Sequence, residues 1–194
     1  MPAASAAPLS GLRLQRMLES ILEARGVELV LGEADAPDGT PDSLRARDPA
    51  PSIPDPSLFD AGRGPRSDVA ESPAHAIRAG AVVLATGRFV GGGVERRGAF
   101  REPIFDLPIA VGGGEAWIGA LTDPSFAAGQ AAFAAGVRVD AALRPIDRDG
   151  RPRARNLFAC GSILAGNDPA RDGAGLGLSW CTGWLAGLAA AEVV

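Results

Sequence analysis

The stretch from Asn156 to Leu188, NLFACGSILAGNDPARDGAGLGLSWCTGWLAGL, constrains the fold more than any other part of this chain. Asn156-Leu157-Phe158-Ala159-Cys160 is a short apolar run of the kind that forms a buried strand, and Gly161 ends it. A glycine-rich loop then leads into a helix of small and apolar residues. A strand, a loop and a helix in direct succession predict an α/β fold. Around Gly173-Ala174-Gly175-Leu176-Gly177 the first helical N–H groups have no intrahelical partner, and with the macrodipole they favour negative charge. Missing side chains let a ligand approach this backbone closely. Two readings are open: a cradle for a phosphate or an electron-rich cofactor edge, or a glycine-rich helix packed tightly on a sheet.

The chain before this stretch is uneven. Residues 1–9 are alanine, proline and serine and are expected to fray. Ser10 is positioned to cap a helix over Leu12–Ala24, in which Leu14, Met17, Leu18, Ile21 and Leu22 recur at helical spacing; Arg25-Gly26 stops it, and Val27–Leu31 reads as a strand. From Ala34 to Ser72 the composition turns to Pro, Asp, Arg, Ser and Gly, too poor in apolar surface to offset ordering entropy, so a disordered loop is expected. His75, the one histidine, stands at its edge and reads as a surface residue rather than a general base.

Ala81–Ala85 resumes as a buried strand ended by Thr86-Gly87, and Gly91-Gly92-Gly93 gives the backbone freedom either to approach a ligand or to turn. Arg88 and Arg101 are candidates for an anionic substrate, because a guanidinium fork matches phosphate oxygens in pairs. Glu102 either orients Arg101, acts as a base, or belongs to a structural turn before Pro103. Trp117-Ile118 form an apolar patch, and the alanine-rich Phe126–Gly136 stretch a helical turn or two. Val137–Asp140 and Leu143–Pro145 read as a strand and a turn, and Asp147-Arg148-Asp149-Gly150 as a hairpin tip. Asp168 either accepts a bond from a cofactor hydroxyl or makes an Asx-turn before Pro169. Trp180 and Trp184, four apart, are expected to pack into a core rather than stack on a ring.

Composition narrows the function. The net charge of −4 gives no electrostatic case for nucleic acid, and every basic side chain apart from His75 is arginine. Cys160 and Cys181 lack zinc or redox spacing and read as free buried thiols; no metal site is expected. No run of about 18 apolar residues exists to span a bilayer, so direct membrane insertion is not expected.

Several stretches together resemble the B-subunit family of anaerobic glycerol-3-phosphate dehydrogenase, flavoproteins of the two-dinucleotide-binding-domain type. They are Gly11-Leu-Arg-Leu-Gln15, Val83-Leu-Ala-Thr-Gly-Arg-Phe89 with Gly91–Gly93, Arg101-Glu-Pro-Ile-Phe105, Gly136-Val137, Asp140, Leu143-Arg-Pro145 and Asn156–Gly177. The likeness is to the C-terminal half of such proteins and leaves out about Ala34 to Ile77. It implies a flavin, FAD or FMN, held by Thr86, Gly87, Gly161, Ser162, Gly173, Ala174, Gly175 and Gly177, and a glycerol 3-phosphate substrate met by Arg88 and Arg101. It also implies a catalytic A subunit and a membrane-anchored iron–sulfur C subunit as partners. The expected location is cytoplasmic, peripheral on the inner face of the plasma membrane through those subunits.

A Rossmann-like flavin fold also needs an N-terminal strand, a G-x-G-x-x-G turn and a helix for the pyrophosphate. No G-x-G-x-x-G is present in these residues. The expected architecture is therefore an incomplete three-layer FAD-binding domain with a remnant of a substrate or cap domain. Residues 1–33 would be that remnant, 34–77 a loop insertion and 78–194 the C-terminal part of the flavin domain. Three functions remain open: a truncated glycerol-3-phosphate dehydrogenase of the B-subunit group, another FAD-dependent enzyme of the fumarate reductase or ketosteroid dehydrogenase kind, and a non-catalytic subunit that packs against a partner.

Overall fold

The computed structural model describes residues 9–30, 33–41, 44–47, 75–112, 114–125 and 129–194. Two compact units emerge, one from residues 1–33 with 48–72 and the other from 34–47 with 73–194. In the first, helix α1 spans Leu9–Ala24. It begins before Ser10, which is an internal helical residue and not the expected cap. Its end is as predicted. Gly26 takes φ +75°, and Val27 N–H reaches back to the Leu22 carbonyl at 3.0 Å, closing the last turn as only a glycine does comfortably. Val27–Val30 has no regular structure, against the strand expected there, and Leu31 lies outside the described residues.

The second unit opens with three very short strands: β1 (Glu33–Asp35, whose first residue belongs to the other unit), β2 (Arg45–Arg47) and β3 (His75–Ala76). They form one sheet, with Ala46 opposite His75 in an antiparallel pair. The loop expected over Ala34–Ser72 is thus partly strand. Its stretch from residue 48 to 72 lies outside the described residues.

Strand β4 (Val82–Leu84) pairs in parallel with β10 (Leu157–Ala159), Phe158 opposite Val83. Between them in sequence lies an antiparallel group: β5 (Glu95–Arg97), β6 (Ala99–Glu102), β7 (Leu107–Val111), β8 (Gly114–Glu115) and β9 (Gly136–Val137). Short helices α2 (Ile118–Leu121) and α3 (Pro169–Asp172), a 3₁₀ turn at Ala131–Ala134 and another at Gly161–Ile163 connect these elements. The chain ends in α4, Gly175–Ala191. The result is a mixed α/β fold with both parallel and antiparallel pairing.

Packing explains the order. Every residue of β10 is buried, and its side chains part to two sides. Leu157 and Ala159 join Phe105, Leu107, Ile109, Val137 and Ile163 in the main core, whereas Phe158 and Cys160 pack with Ala186 of α4. A strand apolar on both faces is what a covered parallel sheet requires. The β6–β7 hairpin turns through Asp106 at φ +52°, and the fully buried Glu102 carboxylate holds it by accepting the amides of Ile104 (2.9 Å) and Phe105 (2.8 Å). Burial raises the Glu102 pKa, and those two amides pull against the rise. Of the three roles open to Glu102, the turn is the one observed. The predicted hairpin at Asp147–Gly150 also forms, with Asp147 Oδ1 accepting the amides of Asp149 and Arg151, both at 2.9 Å. Asp140 closes the preceding turn. Burial works against its charge, but bonds from the Arg144 side chain and backbone and from the Ala142 amide outweigh it and hold the carboxyl below its ordinary range.

Two expectations about α4 fail. Trp180 and Trp184 are 64% and 70% exposed, and Cys181 is exposed while Cys160 is buried. Only Thr182 and Ala186 of α4 are buried. Positions 176, 180, 184 and 188 are Leu, Trp, Trp and Leu, a stripe at four-residue spacing on the side away from Thr182 and Ala186. A helix apolar all round is normally covered all round. No helix among the described residues is long and apolar enough to cross a membrane.

Candidate functional site

Strands β4 and β10 run parallel, so the turns that leave their C-terminal ends emerge on the same side of the sheet. This is where open α/β sheets bind ligands. After β4 comes Thr86-Gly87, with Gly87 at φ +77°; after β10 comes Gly161-Ser162, with Gly161 at φ +74°. The two turns touch, since a side chain on Gly87 would begin 3.6 Å from Ser162 Oγ. The Gly161 turn in turn rests on α4. Its amide donates to Thr182 Oγ1 at 2.8 Å, and a side chain on Gly161 would meet Ser179 Oγ at 3.6 Å. Ser179 Oγ donates back to the Gly175 carbonyl at 3.0 Å, which ties this contact to the first turn of α4.

The Thr86-Gly87 and Gly161-Ser162 turns therefore lie together, with Gly161 against Ser179 and Thr182 of α4, and Gly173, Ala174, Gly175 and Gly177 form the entry to that helix. Gly173 at φ +63° closes α3 with its amide on the Pro169 carbonyl. Around Gly177 the space is open where a side chain would stand. Sequence reasoning misses Ser179 and Thr182. The available signal is two hydroxyls set in an otherwise apolar helix, opposite a glycine turn.

The arginines divide. Arg88 points inward, and its terminal nitrogens donate to the carbonyls of Phe133, Leu164 (3.1 Å) and Asn167. Burial lowers its pKa, with the Asp168 carboxylate opposing the shift. Its guanidinium fastens the 164–168 loop to the turn after β4 through its two terminal nitrogens. Asp168 accepts the Arg171 amide at 3.2 Å and so caps α3, the turn-like role among the two open to it. Arg101 lies elsewhere, in a cleft with Asp106, Arg148 and Arg153.

A cofactor fits the turn cluster on two observations. Gly173 and Gly177 leave open space at the entry to α4, and three buried polar atoms have no partner among the described residues: Thr86 Oγ1, Arg88 Nε and Asn167 Nδ2. Orphaned buried donors at a glycine-lined turn call for an acceptor. Meanwhile β4 has no strand on its other side among the described residues.

Comparison with known proteins agrees with this geometry. Residues 63–178 match the FAD binding domain family, a span that includes both glycine turns and the start of α4. The probable B subunit of anaerobic glycerol-3-phosphate dehydrogenase from two strains of Halobacterium salinarum is 37% identical over 193 residues in each case. The match takes in 96% of this chain and 39% of each relative, so the chain spans about two fifths of their length. No solved structure matches. With its paired strand-end glycine turns inside the matched span, the chain belongs to the FAD binding domain family.

Proposed function

We propose that this chain supplies the distal part of the flavin site of a glycerol-3-phosphate dehydrogenase of the B-subunit type. The observation that carries the reading is the contact between the Thr86-Gly87 and Gly161-Ser162 turns, with Gly161 seated on Ser179 and Thr182 of α4. When bound, the flavin would supply hydride acceptance from the carbon bearing the substrate hydroxyl while a base took the hydroxyl proton, so that glycerol 3-phosphate would give dihydroxyacetone phosphate. The chain's own part is binding and orientation. Free amides at Ala174–Gly177 favour electron-rich or anionic groups, and the Thr86 and Ser162 hydroxyls offer donors beside the two turns. FAD is the cofactor the family match favours over FMN.

The pyrophosphate cradle comes from a segment outside these residues, a strand, glycine turn and helix contributed by a longer chain or by a partner. Two features support this. The open edge of β4 can accept a further parallel strand, and the Leu176, Trp180, Trp184 and Leu188 stripe offers an apolar face to a helix. The Rossmann-like layering and the cap remnant are completed in that assembly. Association with A and C subunits follows from the B-subunit likeness, and would bring the protein to the membrane surface peripherally.

The test is co-expression with the part of the Halobacterium relative that lies outside the match. A co-purifying yellow complex bleached by glycerol 3-phosphate supports the reading. Bleaching of the same complex by a different reductant alone would point to another flavoenzyme class, and failure to co-purify would leave a non-catalytic packing role.

A further inference from the structure

At the end of β10 the backbone donors pass from the sheet to a helix. The Cys160 amide donates to the Leu84 carbonyl of β4 at 2.9 Å, which carries the parallel pairing one residue past the strand. The next amide, that of the buried Gly161, turns away and donates to Thr182 Oγ1 of α4 at 2.8 Å. A buried amide needs a partner, and here the partner is a side chain.

Thr182 is suited to that part. It is 9% exposed, in a helix made mostly of apolar and small side chains. Its hydroxyl proton is committed to the Leu178 carbonyl at 2.6 Å, so the oxygen presents lone pairs to Gly161 and acts there as an acceptor. Ser179 spends its proton in the same way on the Gly175 carbonyl at 3.0 Å, and a side chain on Gly161 would meet its oxygen at 3.6 Å. Hydroxyls bonded back along a helix do not strengthen it, and what Thr182 adds is the hold on Gly161. That hold reaches further than one bond. Gly161 takes φ +74°, Ser162 follows it directly, and Ser162 Oγ stands 3.6 Å from where a side chain on Gly87 would begin. Moving Gly161 off Thr182 therefore disturbs the contact between the turns after β4 and β10.

We propose that Thr182 is a positioning residue for the flavin: its hydroxyl seats the Gly161-Ser162 turn on α4, so that the cofactor meets both strand-end turns already in register. The proposal rests on the flavin-site reading, and Thr182 acts on the cofactor only through Gly161. A turn held in place beforehand loses less freedom when a ligand binds.

The test compares Thr182→Val, which keeps the shape and removes the acceptor, with Thr182→Ser, which keeps the hydroxyl. Glu102→Gln is the control, a change at a buried bond of the β6–β7 hairpin outside the turn cluster. Two quantities are read. One is the exchange rate of the Gly161 amide relative to that of Ala159 in the whole chain, by NMR; the other is the FAD dissociation constant of the complex with the complementary segment, by flavin fluorescence. Thr182→Val should speed Gly161 exchange and weaken FAD about tenfold, as expected for one lost hydrogen bond. Thr182→Ser should restore both, and Glu102→Gln should change neither. Unchanged Gly161 exchange in Thr182→Val overturns the hold on the turn, and faster exchange with unchanged FAD affinity overturns the positioning role. Weakening shared equally by Glu102→Gln also overturns it, because loss of stability alone would then suffice. A parent chain that forms no complex, or a complex that binds no FAD, sinks the flavin reading and this role with it; a parent that binds FAD no more tightly than Thr182→Val sinks the role of Thr182 alone.

Discussion

Replacing Gly136 by alanine tests how the site is held from behind. Gly136 and Val137 form β9, which lies opposite Ile109 and Ala110 of β7 and also bridges to Leu164. An added methyl would overlap the Ile163 carbonyl oxygen and stand 2.7 Å from both the Ala165 nitrogen and the Leu164 carbonyl carbon. Comfortable contacts of this kind are roughly 3.5–4 Å, so the two backbones must part by about 1 Å. The obstacle is main chain, which cannot rotate away as a side chain would. Overpacking of this sort costs about 1–3 kcal/mol, and the Ala165 N–H to Val137 carbonyl bond at 2.9 Å is strained or lost for about 1 kcal/mol more. A loss of about 3 kcal/mol is expected, or a melting temperature lower by about 6–12 °C for a chain of this length. Gly187→Ala is the counterpart. Gly187 lies within α4 with open space where a methyl would go, so alanine should stabilise by about 1 kcal/mol. Urea unfolding read by circular dichroism measures both. A Gly136→Ala midpoint equivalent to within about 0.5 kcal/mol of the parent would refute the packing described around β9 and Leu164.

Other outcomes follow from the same structure. Because the folded Glu102 binds its proton more tightly than the unfolded group near 4.5, its contribution favours the fold at low pH and is lost as pH rises from about that value through its raised folded value; Glu102→Gln should flatten that slope in urea midpoints. The same variant should cost about 1–3 kcal/mol at neutral pH, since its amide NH₂ cannot accept one of the two backbone donors. A thiol reagent should modify Cys181 quickly in the folded protein and Cys160 only on unfolding, because Cys160 is buried and burial raises its pKa; equal rates would contradict the packing on α4. Trp184→Glu should leave stability within about 0.5 kcal/mol and improve solubility, yet abolish co-purification with the complementary segment; a marked loss of stability would mean that this face is already covered.

Which of these features can be read in advance depends on how local their causes are. The Gly26 helix stop, the Asp147–Gly150 tip and the apolar strands at Val82–Leu84 and Leu157–Ala159 arise from neighbouring residues, and they appear where the residues put them. Strands of two or three residues, such as Arg45–Arg47 and His75–Ala76, have no room to display a period, and a Pro- and Asp-rich setting hides them further. Arg88 resists a reading from sequence because three carbonyls from distant segments decide its role, and nothing beside it in the chain announces them. The tryptophans of α4 mislead for the opposite reason. Their apolarity says that they belong against something, while the described residues cover only the Thr182 and Ala186 side. The glycine turns of the candidate site are legible as turns, but their contact through Ser162 and Ser179 is a product of the parallel pairing of β4 with β10.

The central claim is that these residues carry part of a flavin site that a glycine-rich dinucleotide-binding segment completes. The most direct measurement is the visible absorption spectrum after incubation with excess FAD and desalting, taken on the chain alone and on its complex with the remainder of the Halobacterium relative. The chain alone is expected to be colourless and the complex yellow, holding FAD in equal proportion to protein. A complex that forms yet retains no flavin would contradict the cofactor site, and a chain that keeps its colour by itself as a monomer would contradict the need for a second segment.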